Sequence, residues 1–200
     1  MAQAQPASPL APVEKPPAPK LANPAPLGLA GFALTTFMLM LIRTGLVTGS
    51  SAAIVVALAL AYGGGGQVIA GWWDFKNGNT FGGVAFTSYG LFWWSFALFV
   101  ILFQGKDAGN EVAWYLLLWG IFTFYMWIAT LRGSPAVMVV FLLLWITFVL
   151  LAIGVFRGDA DGSGVTLIGG YVGLLTAIAA FYASARVIIN EGLGRMVLPG

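Results

Sequence analysis

Two hundred residues that are 60% hydrophobic and 8% charged, with a mean hydropathy of +0.91, exclude a soluble domain, where roughly a quarter of residues carry charge. The absence of cysteine and histidine removes disulfides, thiolate chemistry and the commonest metal ligand. A net charge of +2 is too small to point to nucleic acid and serves only as a signal of membrane topology.

Residues 1–22 are rich in Pro and Ala and too poor in large apolar residues to offset the entropy of ordering, so a disordered tail is expected there. The first apolar run begins only at Leu27, which argues against a signal peptide. Between tail and run lies Asn23-Pro24-Ala25-Pro26-Leu27-Gly28-Leu29. This stretch reads as a helix start: Asn23 as the N-cap, Pro24 and Pro26 in the first turn, where their missing N–H groups have no intrahelical partner, and Gly28 as a place where another backbone comes close.

Six apolar segments follow, at 24–42, 51–73, 82–103, 112–131, 135–156 and 165–185. Each approaches the ~20 residues a helix needs to cross a bilayer core, and their continuous apolar character excludes the alternating strands of a barrel. The predicted fold is therefore an all-α integral membrane protein, with a six-helix bundle over 23–199. The loops carry nearly all the charge. One side holds Lys15, Lys20, Lys76, Arg132, Arg186 and Arg195, the other Arg43, Lys106 and Arg157, which predicts cytoplasmic termini. Four acids, Asp107, Glu111, Asp159 and Asp161, fall on the second side.

Small residues recur at four-residue spacing, Ala57, Ala61 and Gly65 beside Ala59 and Gly63, then Gly169, Gly173 and Ala177, which predicts close helix packing. The run Gly63–Gly66 predicts a break or kink in the second helix and is no phosphate loop, since no Gly-Lys-Ser/Thr follows. Trp72, Trp73, Trp114 and Tyr115 stand at segment ends, as interfacial residues do. No internal repeat is strong enough to argue an inverted-topology transporter.

No Asp, Glu, Lys, Arg or His lies mid-segment. Asp74 and Arg186 come nearest and, at segment ends, read as solvated or snorkelling groups. The interior holds instead Thr35, Thr36, Gln67, Thr87, Ser88, Tyr89, Ser95 and Thr123, with Thr147, Thr176 and Tyr125. Ser88, Phe92 and Ser95 share one helical face, with Tyr89 adjacent, and Thr35 lies three residues after Phe32 on the first helix. Hydroxyls and rings together suit a small solute with an apolar end and a hydrogen-bonding end, not a bare metal cation. No catalytic constellation, cofactor site or metal cluster is visible, so an enzyme is not expected.

These residues, together with Tyr62-Gly63-Gly64, Gly78-Asn79-Thr80-Phe81-Gly82, Ala85-Phe86-Thr87-Ser88-Tyr89-Gly90, Leu118–Thr123 and Gly194–Pro199, resemble the acetate uptake transporter family, also called succinate–acetate permeases. The resemblance spans 23–199. It implies a six-helix protomer in a homohexamer in the plasma or inner membrane, embedded in lipid, with a solute path through each protomer for acetate and often succinate. It further implies a constriction of Phe32, Tyr89 and Leu144, with Leu142 and Leu143 as neighbouring candidates for the third. Met40 stands where bacterial members carry Asn, which leaves one fewer polar lining group. The expected mechanism places hydroxyl and backbone donors on either flank of a short hydrophobic gate, with passage helped by protonation of the solute. Two further readings stand beside it: a channel for neutral solutes such as urea or ammonia, and a non-transporting scaffold or carboxylate sensor.

Overall fold

The computed structural model describes residues 21–47, 53–103 and 109–200. The expectations for the tail over 1–20, for Lys15, Lys20, Lys106 and Asp107, and for the start of the second segment at Ser51 lie outside these.

Among the described residues six helices are long and apolar enough to cross a membrane: α1 (Ala25–Arg43), α2 (Ala53–Lys76), α3 (Thr80–Phe103), α4 (Glu111–Thr130), α5 (Pro135–Arg157) and α6 (Gly164–Leu193). Without water, a backbone satisfies its own polar groups most simply as a helix, and the described residues contain no strand. Helix stops follow local chemistry. Pro135 opens α5 after an extended Ser134, and Gly158, at φ 72°, closes it in the left-handed region that costs glycine little. The last helix runs on past Ala185 to Leu193, because no Gly or Pro interrupts it before Gly192. Arg186 therefore sits within α6 and is half-buried rather than at its solvated end, with its Nε buried and without a hydrogen-bond partner among the described residues.

The helices pack in the order α3, α2, α1, α6, α5, α4, and α4 meets α3 through large side chains, with the two backbones held apart, to complete the circuit. The small-residue rows act as read in α6, where Gly169, Gly173 and Ala177 are buried; a Cβ on Gly173 would meet the Met40 side chain of α1. In α2 only one of the two rows faces inward: Ala59 and Gly63 are buried, Ala57 and Ala61 exposed. The predicted break takes the form of a π-helical stretch, Ala61–Gly66, inside α2. A Cβ on Gly63 would stand 2.5 Å from the Thr35 hydroxyl of α1, and Gly64 lies under the Trp94 indole of α3. Of the ring residues at segment ends, Trp72, Trp73 and Trp114 face outward. Tyr115 does not: it turns inward to contact Ser95 of α3 across 2.6 Å.

Candidate functional site

Two cavities enter the bundle from opposite ends. The first, of about 330 Å³, opens among Ala25 at the start of α1, Gly82 near the start of α3 and Gly133 in the α4–α5 loop. The second, of about 290 Å³, opens among Arg43, Glu111 and Asp159. Three side chains line both: Phe32 of α1, Tyr89 of α3 and Leu144 of α5, which are 6%, 3% and 4% exposed.

Tyr89 is fixed by its neighbours. Its ring lies 6.1 Å from Phe32, 6.0 Å from Trp119, 5.5 Å from Phe122 and 6.0 Å from Phe141. Its hydroxyl is 2.9 Å from Thr123 Oγ1, which itself donates to the Trp119 carbonyl at 2.7 Å. Thr123 has one proton and has given it to that carbonyl, so the Tyr89 hydroxyl must be the donor to Thr123. Where the cavities meet, Tyr89 therefore offers a ring face and oxygen lone pairs, with no proton to spare.

The residues expected to line the path divide. Gln67 lines the first cavity, and Thr36, Phe92 and Ser95 line the second. The Thr36 hydroxyl and Gln67 Oε1 are buried with no hydrogen-bond partner among the described residues. Thr35, Thr87, Ser88 and Thr123 line neither cavity. Thr35 and Thr87 face Gly63 and Gly71 of α2, and Thr123 stands behind Tyr89. The residue that shares a cavity with Phe32 is thus Thr36, one full turn on, rather than Thr35. On α3 the inward face is Ala85, Tyr89, Phe92 and Phe96, with Ser95 beside it and Ser88 off it. The expected supply of hydroxyl donors is also smaller than the residue types suggest. Thr35 donates to the Gly31 carbonyl at 2.8 Å and Ser95 to the Phe92 carbonyl at 2.8 Å. In a helix without water, a Ser or Thr proton goes most readily to the preceding turn.

The helix-start motif is built one residue later than expected. Pro24 holds the N-cap position, and its carbonyl accepts from Leu27 and Gly28 at 3.1 and 3.2 Å. Asn23 contributes from the preceding position, its Oδ1 accepting the Ala25 N–H at 3.0 Å. Pro26 has no N–H, so every amide of the first turn is accounted for. Gly28 seats the Phe86 ring of α3 rather than a backbone; the close backbone contact is at Gly31, where a Cβ would stand 2.5 Å from the Tyr62 carbonyl oxygen. Ser184 of α6 donates to the Pro26 carbonyl at 2.8 Å, which ties this start to the last helix.

Several residues at the site escaped sequence reasoning. Phe141 and Phe148 flank Leu144 on α5, and Tyr115, Trp119 and Phe122 form a stripe on α4 facing Tyr89 and Phe92. Both sets repeat at three- and four-residue intervals, the signal that could have found them. Asp74 was expected at a solvated helix end, yet it is 3% exposed and lines the first cavity. Helix α2 continues past it and turns at Asn77–Asn79, which folds the start of α3 over the carboxyl. Asn79 Nδ2 donates to Asp74 Oδ1 at 3.0 Å, and Asn79 Oδ1 accepts the Gly82 N–H at 3.1 Å. At the opposite mouth Arg43 pairs with Asp161 at 2.7 Å. Among the described residues no group of three or more acidic side chains gathers to hold a metal ion.

The chain is similar to known proteins in sequence and in fold. The chain is 43% identical over 186 residues to the succinate-acetate/proton symporter SatP of Escherichia coli (strain K12), covering 90% of this chain and 95% of that one. It is 42% identical over 195 residues to ammonia transport outward protein 2 of Saccharomyces cerevisiae, covering 92% and 68%. The solved structure of the bacterial acetate channel SatP superposes with a TM-score of 0.82 at 41% identity, over 90% of this chain and 99% of that one. Residues 5–199 match the GPR1/FUN34/yaaH family, and the chain belongs to it.

Proposed function

We propose that this protein carries small carboxylates, acetate foremost and succinate among them, across the plasma or inner membrane along a path within each protomer, and that Phe32, Tyr89 and Leu144 form its narrow point. One observation carries the reading: two cavities from opposite ends of the bundle have these three apolar walls in common. The names of the bacterial relatives supply the solute class.

The narrow point sets the energetics. A bare carboxylate loses several kcal/mol or more on leaving water without compensating hydrogen bonds. The Tyr89 proton is committed to Thr123, and the polar atoms without a partner among the described residues include the Gln67 Oε1 acceptor on one flank and the Thr36 hydroxyl on the other. The solute crosses most easily as the neutral acid. A simple carboxylic acid titrates near a Glu side chain, about 4.3, so its neutral fraction rises as pH falls. Uptake of labelled acetate into proteoliposomes, with succinate, formate and urea as competitors, tests both points. Uptake should be faster at about pH 5 than at about pH 8, and equal rates without a gradient would refute passage as the neutral acid.

The basic residues gathered on the side of the chain ends support cytoplasmic termini. The broad apolar exterior, including Leu118, Ile121 and Phe124 on α4, suits contact with lipid and with sister protomers in a homohexamer. A second reading is favoured by the yeast relative named for ammonia transport: a path for small neutral molecules. Methylamine or urea outpacing acetate in the same vesicles would select it, and absence of any flux would leave a scaffold or sensor.

A further inference from the structure

Movement of a solute past Phe32, Tyr89 and Leu144 makes no use of the carboxyl group that lines the cavity on the side of the chain ends. Asp74 is buried in the wall of that cavity, which also holds Gln67 and Ser134. Its two oxygens differ. Oδ1 accepts from Asn79, which orients the amide that caps α3, and either protonation state can fill that role. Oδ2 lies against Gly82 with no hydrogen-bond partner among the described residues, and a Cβ on Gly82 would collide with it. An oxygen with no donor on the wall of a cavity is a seat for a proton.

The surroundings leave this carboxyl electrically alone. Among the described residues the cavity lining includes no second carboxylate and no cation, and its other ionisable side chain is Tyr89 at the far end. The helices that form the cavity are α1 to α5. Of their charged residues, Arg43, Glu111 and Arg157 lie at the opposite end, and α3 has none. Lys76 is exposed and lies over the Trp72 ring at 5.5 Å, and Arg132 in the α4–α5 loop is exposed. Arg186 and Glu191, on α6, are absent from the lining. The first turn of α3 presents its positive dipole end to the carboxyl, an attraction for the ionised form that falls off within a turn.

Resting on the transport reading above, we propose that Asp74 is a proton-binding residue that sets whether a carboxylate can occupy this cavity. Ionised, it repels the solute anion across a space with few compensating groups. Protonated, it removes that repulsion and adds an O–H donor beside Gln67 and Ser134. The proton is exchanged with water at the cavity mouth and no covalent step is involved. This control is separate from protonation of the solute.

Exchange of labelled formate and labelled propionate in proteoliposomes, with equal pH on both sides, separates the two. In the wild type, exchange divided by each acid's neutral fraction should still fall as pH rises, with one midpoint shared by both acids although their strengths differ. Asp74→Asn keeps the oxygen that accepts from Asn79 and imitates the protonated form. It should exchange roughly tenfold faster than wild type at about pH 8, with only the solute's own titration left in its profile. An Asp74→Asn profile parallel to wild type, or wild-type rates that each acid's neutral fraction alone accounts for, would overturn the assignment. Wild-type vesicles no better than protein-free ones would overturn the transport reading itself. Should Asp74→Asn not assemble, Asp74→Glu carries the test: the shared midpoint should move, and an unmoved one overturns the assignment.

Discussion

At Tyr89 a chain of two hydrogen bonds decides what the side chain presents where the two cavities meet. Tyr89 donates to Thr123, and Thr123 donates to the Trp119 carbonyl. Thr123→Val keeps the shape and removes the acceptor, which strands a buried hydroxyl at a cost of about 1–3 kcal/mol. Adding Tyr89→Phe removes the stranded group, and the double variant should recover most of that loss. Thermal unfolding of the solubilised single and double variants measures the coupling, and additive losses would show that the Tyr89 hydroxyl has another partner. Leu144 has a different role in the proposed constriction, because it is apolar and touches both cavities. Leu144→Ala should admit bulkier acids and speed acetate, while costing about 2–5 kcal/mol of stability for the space left behind. Flux with a size series of acids checks this, and an unchanged size limit would move the narrow point elsewhere.

At the scale of helices, the six spans were legible because a bilayer imposes length and apolar character on every segment. Helical phase was harder to read. Thr35 and Thr36 are both buried, and only their angle around α1 separates a packing hydroxyl from a cavity wall. Spacing from Phe32 could not settle that angle, since positions three and four residues on both lie near it. Asp74 was misjudged for a related reason: its position near the end of an apolar run suggested exposure, and the turn at Asn77–Asn79 that buries it depends on tertiary packing. The glycine run predicts a break or kink, and its residues prove unequal. A Cβ on Gly64 would collide with the Trp94 indole, whose Nε1 donates to the Leu60 carbonyl at 2.9 Å, whereas one on Gly65 would meet that carbonyl at an ordinary 3.5 Å. Gly64→Ala should therefore destabilise by about 1–3 kcal/mol through overpacking. Gly65→Ala should be neutral or gain up to ~1 kcal/mol from helix propensity. Melting temperatures of the two variants in the same detergent test the difference, and equal values would mean that the π-helical stretch yields to a methyl group at either position.

For the molecule as a whole, the decisive feature is that one chain encloses everything proposed for the path. Helices α1, α3 and α5 each supply one of the three shared walls, and residues of the same chain line both cavities. A hexamer built from such units would hold six independent conduits, with its apolar contacts serving stability and placement in lipid. Blocked and intact protomers should then contribute separately to flux. Leu144→Trp adds a large ring at the narrow point, where Phe32 and Tyr89 leave little room to move, and a uniform population of it should pass little acetate. In vesicles made from co-expressed wild-type and Leu144→Trp chains, uptake should fall in direct proportion to the blocked fraction. A conduit formed between protomers, or an opening step that all protomers take together, would instead produce a steeper decline, because a single blocked neighbour would silence several intact chains. The shape of that curve tests the single-chain conduit without requiring the identity of the best solute.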